Sequence, residues 1–235
     1  MNRRMFLARV ALSMTVLSNV MACDVLPKRL PTYRYRLTVE VQTPEGIKAG
    51  SSVIEVYSSI ESSLNIDNPR GLIMSARGEA VAVDLPGGQT LFALLSGIWS
   101  NASPERNAQA LLRGRYSNSY EETHAKLIGH KDVVELQPPN YPMLVRFRDV
   151  HDPRTIERVA PDNLTVFGHG IRLLKVTVQI TPAPVTSGIE RRFGWWAKYK
   201  DRHFDGTSTV VEDMTSKDLR AHITSCSFST ECNRS

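Results

Sequence analysis

The chain has 235 residues, 41% of them hydrophobic and 23% charged, with 14 Gly and 13 Pro, a balance that fits one globular domain or two small ones and excludes collagen, coiled coil and wholesale disorder. Three Cys are too few for a disulfide-dense miniprotein, and no segment after the N-terminus approaches the roughly 20 apolar residues of a spanning helix, which excludes a polytopic membrane protein. Of the 29 basic residues, Arg3, Arg4 and Arg9 belong to a predicted export segment, and subtracting those three leaves 26 against 24 acidic, without the basic stripe that nucleic-acid binding requires.

The chain begins with a positive n-region, Asn2-Arg3-Arg4 and Arg9, followed by Val10 to Ala22, a short and weakly apolar stretch ending in small residues. This is a secretory signal peptide over 1–22, too short to span a membrane as a mature helix. Val20-Met21-Ala22-Cys23 resembles the lipobox of bacterial lipoproteins, in which an aliphatic and a small residue precede a Cys that is acylated on sulfur and becomes the mature N-terminus; that role falls to Cys23. The resemblance implies a lipoprotein of the bacterial cell envelope facing the periplasm, with the membrane as its first partner. Acyl chains contribute about 0.8 kcal/mol per buried methylene, so two or three hold such a domain at a membrane. Arg3-Arg4-Met5-Phe6-Leu7 fits either a twin-arginine signal or a general secretory n-region. Asp24 looks like an inner-membrane retention signal, a rule that varies between bacteria and leaves the choice of membrane open. Residues 23–32 read as a lipidated tether.

A single domain is expected over 33–205. Tyr33 to Val41 alternates, with Tyr33, Tyr35, Leu37, Val39 and Val41 on one face and Arg, Thr and Glu on the other, which predicts a half-buried strand. Ser52 to Tyr57 is a second strand, across a long loop carrying Pro44-Glu45-Gly46. Glu79 to Leu85 and Thr90 to Leu95 flank Pro86-Gly87-Gly88-Gln89 as a hairpin, and Leu91 to Leu95 is apolar on both faces, the mark of a mid-sheet strand. Ser103-Pro104 then opens a helix whose Ala108, Leu111 and Leu112 share a face and which ends at Gly114. Ser119-Tyr120-Glu121-Glu122 reads as a capping box for a second helix ending near Gly129.

Strands return at Tyr141 to Arg148, with Met143, Val145 and Phe147 together, and at Ile171 to Ile180, with Leu174, Val176, Val178 and Ile180 together. Asp152-Pro153 and Pro161-Asp162-Asn163 mark turns, and helical turns are expected near Leu164 to Phe167 and Thr186 to Arg192. Residues 206–235 read as a polar tail. There, Cys226 and Cys232 suit a structural disulfide better than a metal or redox pair. Strands, a short helical insertion and more strands predict an α+β domain with a mostly antiparallel sheet.

Four segments carry a further resemblance: Gly50 to Val56, Gly78 to Asp84, Phe147-Arg148-Asp149 with Asp152-Pro153, and Val185 to Arg192. Together they resemble a family of uncharacterised bacterial envelope proteins, often lipoproteins, with no known activity. The likeness covers most of the mature chain and transfers no catalytic residue.

The sequence carries no Gly-x-Ser-x-Gly elbow, phosphate-binding loop, His-Glu-x-x-His or dinucleotide fingerprint, and it implies no cofactor. Glu121 and His124, three apart on the second predicted helix, with His130 beyond, are half of a metal site at most, and His124 also fits a packing role. His151 with Asp149 and Asp152, together with His169, offers the His and carboxylate that acid–base catalysis needs, set in ordinary turn sequence. Arg146, Arg148, Arg154 and Arg158 lie among acidic residues, as cross-strand ion pairs or an anion groove. Phe193, Trp195, Trp196, Tyr199 and Phe204 form the densest aromatic cluster, either a binding surface for a glycan, an envelope protein or lipid headgroups, or a plug for the sheet. The leading expectation is a non-catalytic envelope lipoprotein; the alternative is an envelope hydrolase or metal-dependent enzyme using these His and Asp residues.

Overall fold

The computed structural model describes residues 26–62, 64, 66–67, 70–95, 102–138, 140–209 and 216–232. The signal segment, the lipobox with Cys23 and Asp24 lie outside the described residues.

The alternating pattern at Tyr33 builds the first sheet. β1 (Lys28–Arg29) and β2 (Tyr33–Thr43) follow one another along one edge of β3 (Gly46–Ile60), and β4 (Leu72–Arg77) lies along the other, so that Ser59 faces Arg29 on one side and Ile73 on the other. Every odd residue of β2 is buried and every even one half-exposed, as the pleat requires. β2 also pairs with β10 (Arg172–Ile180), whose far edge carries β7 (Val134–Glu135). A second sheet holds β5 (Val81–Leu85), β6 (Gln89–Ala93), β8 (Leu144–Phe147) and β9 (Ile156–Val159) in that order. The ladders of both sheets are antiparallel, as expected, but the strands divide between two sheets.

The second sheet is apolar on both faces, and each face has its own core. Val81, Val83, Leu85, Leu91, Ala93, Leu144 and Val159 point toward the first sheet, where they meet Tyr35, Leu37, Val39, Ile54, Val176 and Val178. Gly50 brings the sheets close, since a Cβ there would stand 2.1 Å from the Ala82 carbonyl oxygen. Ala80, Phe92, Leu94, Met143, Val145 and Ile156 point the other way, against Phe193, Trp195, Tyr199, Phe204, Ile223 and Phe228. Fully burying each such side chain stabilises by about 1.5–3 kcal/mol. The layers are thus a sheet, a second sheet and an irregular cover of short 3₁₀ turns drawn from the C-terminal third.

Several expectations need correction. Residues 28–32 are no free tether: β1 is hydrogen-bonded to β3, and Leu30 is buried. The polar tail beyond 205 is part of the fold, because Ile223 and Phe228 are fully buried in the second core. The loop after β2 is only Pro44-Glu45, with Thr43 opposite Gly46, and Gly46 at φ 110° supplies the left-handed geometry so tight a reversal needs. The register of β10 shifts between Leu173 and Lys175, so Leu173 rather than Leu174 packs on the core. Asn107–Leu112 is a 3₁₀ helix that buries Ala108, Leu111 and Leu112 as predicted. The second helix, α1 (Tyr120–Ile128), is capped by Ser119, whose hydroxyl accepts from the Glu122 amide. Cys226 and Cys232 form a disulfide.

Candidate functional site

The chain passes from the first sheet to the second through Gly78, Glu79 and Ala80, between β4 and β5. Gly78 lies so close to β3 that a Cβ would stand 2.8 Å from Ile54 Cγ1 and 3.1 Å from Ile54 Cα, so only glycine fits without displacing backbone. At this corner the ladder changes partners. Val53 of β3 donates its N–H to Thr186 Oγ1 at 2.8 Å, and the Thr186 N–H donates to the Val53 carbonyl at 3.1 Å. On the opposite side the Gly78 N–H donates to Thr230 Oγ1 at 2.9 Å, and the Ala80 N–H donates to the Phe228 carbonyl at 2.7 Å.

A cleft of about 310 Å³ opens here, lined among others by Arg77, Glu79, Ser187, Arg191 and Trp196. The Glu79 side chain closes its floor: the residue is buried, and its Oε2 accepts the Ile189 N–H at 2.8 Å. Burial raises the Glu79 pKa above the ordinary carboxylate range, against the opposing pull of the Ile189 and Gly188 amides, because desolvation disfavours the charged form. Arg77 donates to Glu231 at 2.7 Å, and Arg191 lies 3.8 Å from Glu190. The rim is therefore mixed in charge and the wall aromatic, a surface suited to a polar ligand with one flat face.

A second recess of about 520 Å³ lies between the β5–β6 turn and the segment after β8, with Phe92, Phe147, Arg148, Asp149 and Arg192 among its lining. Arg192 grips Asp84 with two hydrogen bonds of 2.8 and 3.0 Å and holds that carboxyl below its usual pKa.

The residues singled out from sequence are dispersed. Glu121 binds Lys28 at 2.8 Å and Ser119 at 3.0 Å, and chiefly the Lys28 contact brings its pKa down to about 2. His124 turns elsewhere: its Nε2–H donates to the Pro31 carbonyl at 2.5 Å, and its ring meets Tyr33 edge-on at 5.3 Å. It is a packing histidine, and among the described residues no three His, Cys, Asp or Glu gather as metal ligands, His130 included. Asp152 caps the turn Pro153–Thr155 and binds the Arg154 guanidinium at 3.0 Å, which lowers its pKa. His151 is exposed, with its backbone N–H donated to Asp149 at 2.9 Å. His169 is exposed in a turn beside the Pro44 hairpin. Arg146 pairs across the strands with Glu157 at 2.8 Å, and Arg148, just past β8, reaches the same carboxylate at 2.8 Å. Trp195 and Tyr199 are buried in the second core, which corrects the expectation of a binding surface formed with Trp196; of the three, Trp196 alone lines the corner cleft.

Sequence reading passed over Arg77, Glu79 and Arg191 as site residues. The segments Gly50 to Val56, Gly78 to Asp84 and Val185 to Arg192 meet at this corner. No protein-family model, curated protein or solved structure matches the chain.

Proposed function

We propose that this protein is a lipid-anchored bacterial envelope lipoprotein, attached through Cys23, whose periplasmic domain binds a partner without chemistry of its own and uses the corner cleft to do so. One observation carries the binding reading: the charged groups of the cleft already have partners within the fold. Glu79 takes the Ile189 amide, Arg77 takes Glu231, and the acid–base candidates His151 and His169 are not among the residues lining the cleft. Groups so committed make a shaped polar recess rather than a nucleophile with its base. The bonded Cys226 and Cys232 support an oxidising compartment, since such bridges are rare where thiols are kept reduced.

The test joins mass spectrometry of the mature protein from native membranes to photo-crosslinking from Ser187, at the cleft rim. Fatty chains on Cys23 and a discrete crosslinked envelope component are expected. An unmodified Cys23 refutes the anchor, and turnover of a hydrolase substrate that His151→Ala abolishes refutes the non-catalytic reading.

A further inference from the structure

Among the described residues, backbone hydrogen bonding leaves the β4 edge of the first sheet open. Along β3 the peptide groups alternate sides: Leu30 N–H donates to the Ser58 carbonyl at 2.9 Å on the β2 side, and Glu61 N–H donates to the Gly71 carbonyl at 2.8 Å on the β4 side. Carried through the register Ser59↔Ile73, Tyr57↔Ser75 and Glu55↔Arg77, that alternation turns the peptide groups of Ile73, Ser75 and Arg77 toward β3 and those of Leu72, Met74 and Ala76 away from it. Beyond β4 the outward groups are taken, Gly78 by Thr230 and Ala80 by Phe228. Among the described residues, the outward peptide groups of Leu72, Met74 and Ala76 have no partner. The strand lacks the features that usually guard an edge: Leu72–Arg77 has no Pro, no Lys and no bulge, and its one charge, Arg77, is held by Glu231. Ile73 and Tyr57, on the same face of adjoining strands, are 46% and 41% exposed.

We infer that a second copy of this chain docks on this edge, β4 against β4, antiparallel about a two-fold axis at Met74. In that register the outward groups meet: Met74 faces Met74 and Leu72 faces Ala76, and each pair exchanges two N–H···O bonds. The same patch serves both copies, as a two-fold interface demands. Thr230 occupies the edge from Gly78 onward and Arg70, at φ 56°, turns the chain away at the other end, so the pairing window is short and centred on Met74. Arg77 of one copy falls opposite Gly71 of the other, and no like charges oppose. Ile73 of each copy faces Ser75 of the other, which brings two half-exposed Ile73–Tyr57 pairs into one apolar patch.

Analytical ultracentrifugation of the full chain over a range of concentrations tests this, together with oxidative crosslinking of Met74→Cys. A concentration-dependent dimer is expected, with a disulfide joining the substituted positions of the two copies, because facing residues of a hydrogen-bonded pair lie about 5.5 Å apart, within disulfide reach. Ile73→Lys combined with Ser75→Lys weakens the dimer roughly tenfold or more, and mixing that variant with Ile73→Glu combined with Ser75→Glu restores it as a heterodimer. Both variants change only exposed side chains, and a circular dichroism spectrum unchanged from the parent verifies folding. A monomer at every concentration, with no crosslink between copies of Met74→Cys, overturns the inference. So does protection of Leu72 to Ala76 from hydrogen exchange in a monomer bound to a foreign peptide.

Discussion

The two cores solve the same burial problem with different means. Between the sheets the filling is mainly aliphatic, with Val39, Val41, Leu91, Val176 and Val178 fully or almost fully buried and strands on both sides. Behind the second sheet it is aromatic: Phe92, Phe147, Phe193, Trp195, Phe204 and Phe228 pack with ring centroids 4.7 to 6.2 Å apart. One wall of that core is a sheet and the other a run of 3₁₀ turns at Ile189–Arg192, Trp196–Tyr199, Leu219–Ala221 and Ser225–Ser227. Large rings bury much area from few backbone positions, so the cover needs no periodic strand. Some of its peptide groups are satisfied locally, as where Asp218 accepts from Arg220 and Thr224 from Cys226, and others across the core, as where Phe204 donates to Ile223.

That difference predicts unequal sensitivity. Phe228→Ala removes a fully buried ring that touches Phe92, Phe147, Phe193 and Phe204, and should cost about 4 kcal/mol in urea unfolding, whereas Leu91→Ala between the sheets should cost about 3 kcal/mol. A smaller loss at Phe228 than at Leu91 would break the comparison. Replacing Cys226 and Cys232 with Ser frees the end of the aromatic cover and should cost about 2 kcal/mol, the chain-entropy value for so short a loop. Reducing agent should lower the parent to the same stability.

Tyr35→Phe tests the aliphatic side. The Tyr35 hydroxyl donates to the Pro104 carbonyl at 2.7 Å in the buried interior, and deleting it leaves that carbonyl unpaired, at about 1.5 kcal/mol.

The smallest effect is a change of pH slope at Glu79. Burial raises its folded pKa above the unfolded value, so between the two values the native state binds more protons, and this group's contribution to stability falls as pH rises through them. Glu79→Gln, which keeps an oxygen for the Ile189 amide, should remove that part of the slope, on the alkaline side of the unfolded carboxyl pKa, when thermal unfolding is followed across pH. Asp84 works in the opposite sense. Arg192 lowers its pKa, so its contribution is present above the unfolded value and lost as pH falls through the folded one.

Periodicity decided what could be read from sequence. β2, β6 and β8 face apolar cores on one side or both, and α1 has a polar cap, so each wrote itself into residue order. β1 is two basic residues held by backbone pairing, and β4 alternates only weakly, so neither had a hydrophobic signature. The bulge in β10 moved one leucine off the expected face. The last part of the cover looks like a tail in sequence because Ile223 and Phe228 are spaced as anchors of turns, at no helical or strand period. The corner cleft was hidden for a related reason: Glu79 looks like any strand-end carboxylate until the segment near Ile189 is laid over it.

The order in which the two sides of the second core occur along the chain has a temporal consequence. A polypeptide made from its N-terminus can assemble the sandwich of sheets early, but Phe92, Leu94 and Val145 stay bare until residues 193–228 have followed. Premature termination anywhere before Ile223 therefore yields a half-clad intermediate with a sticky outer wall, the kind of species that proteases and chaperones recognise.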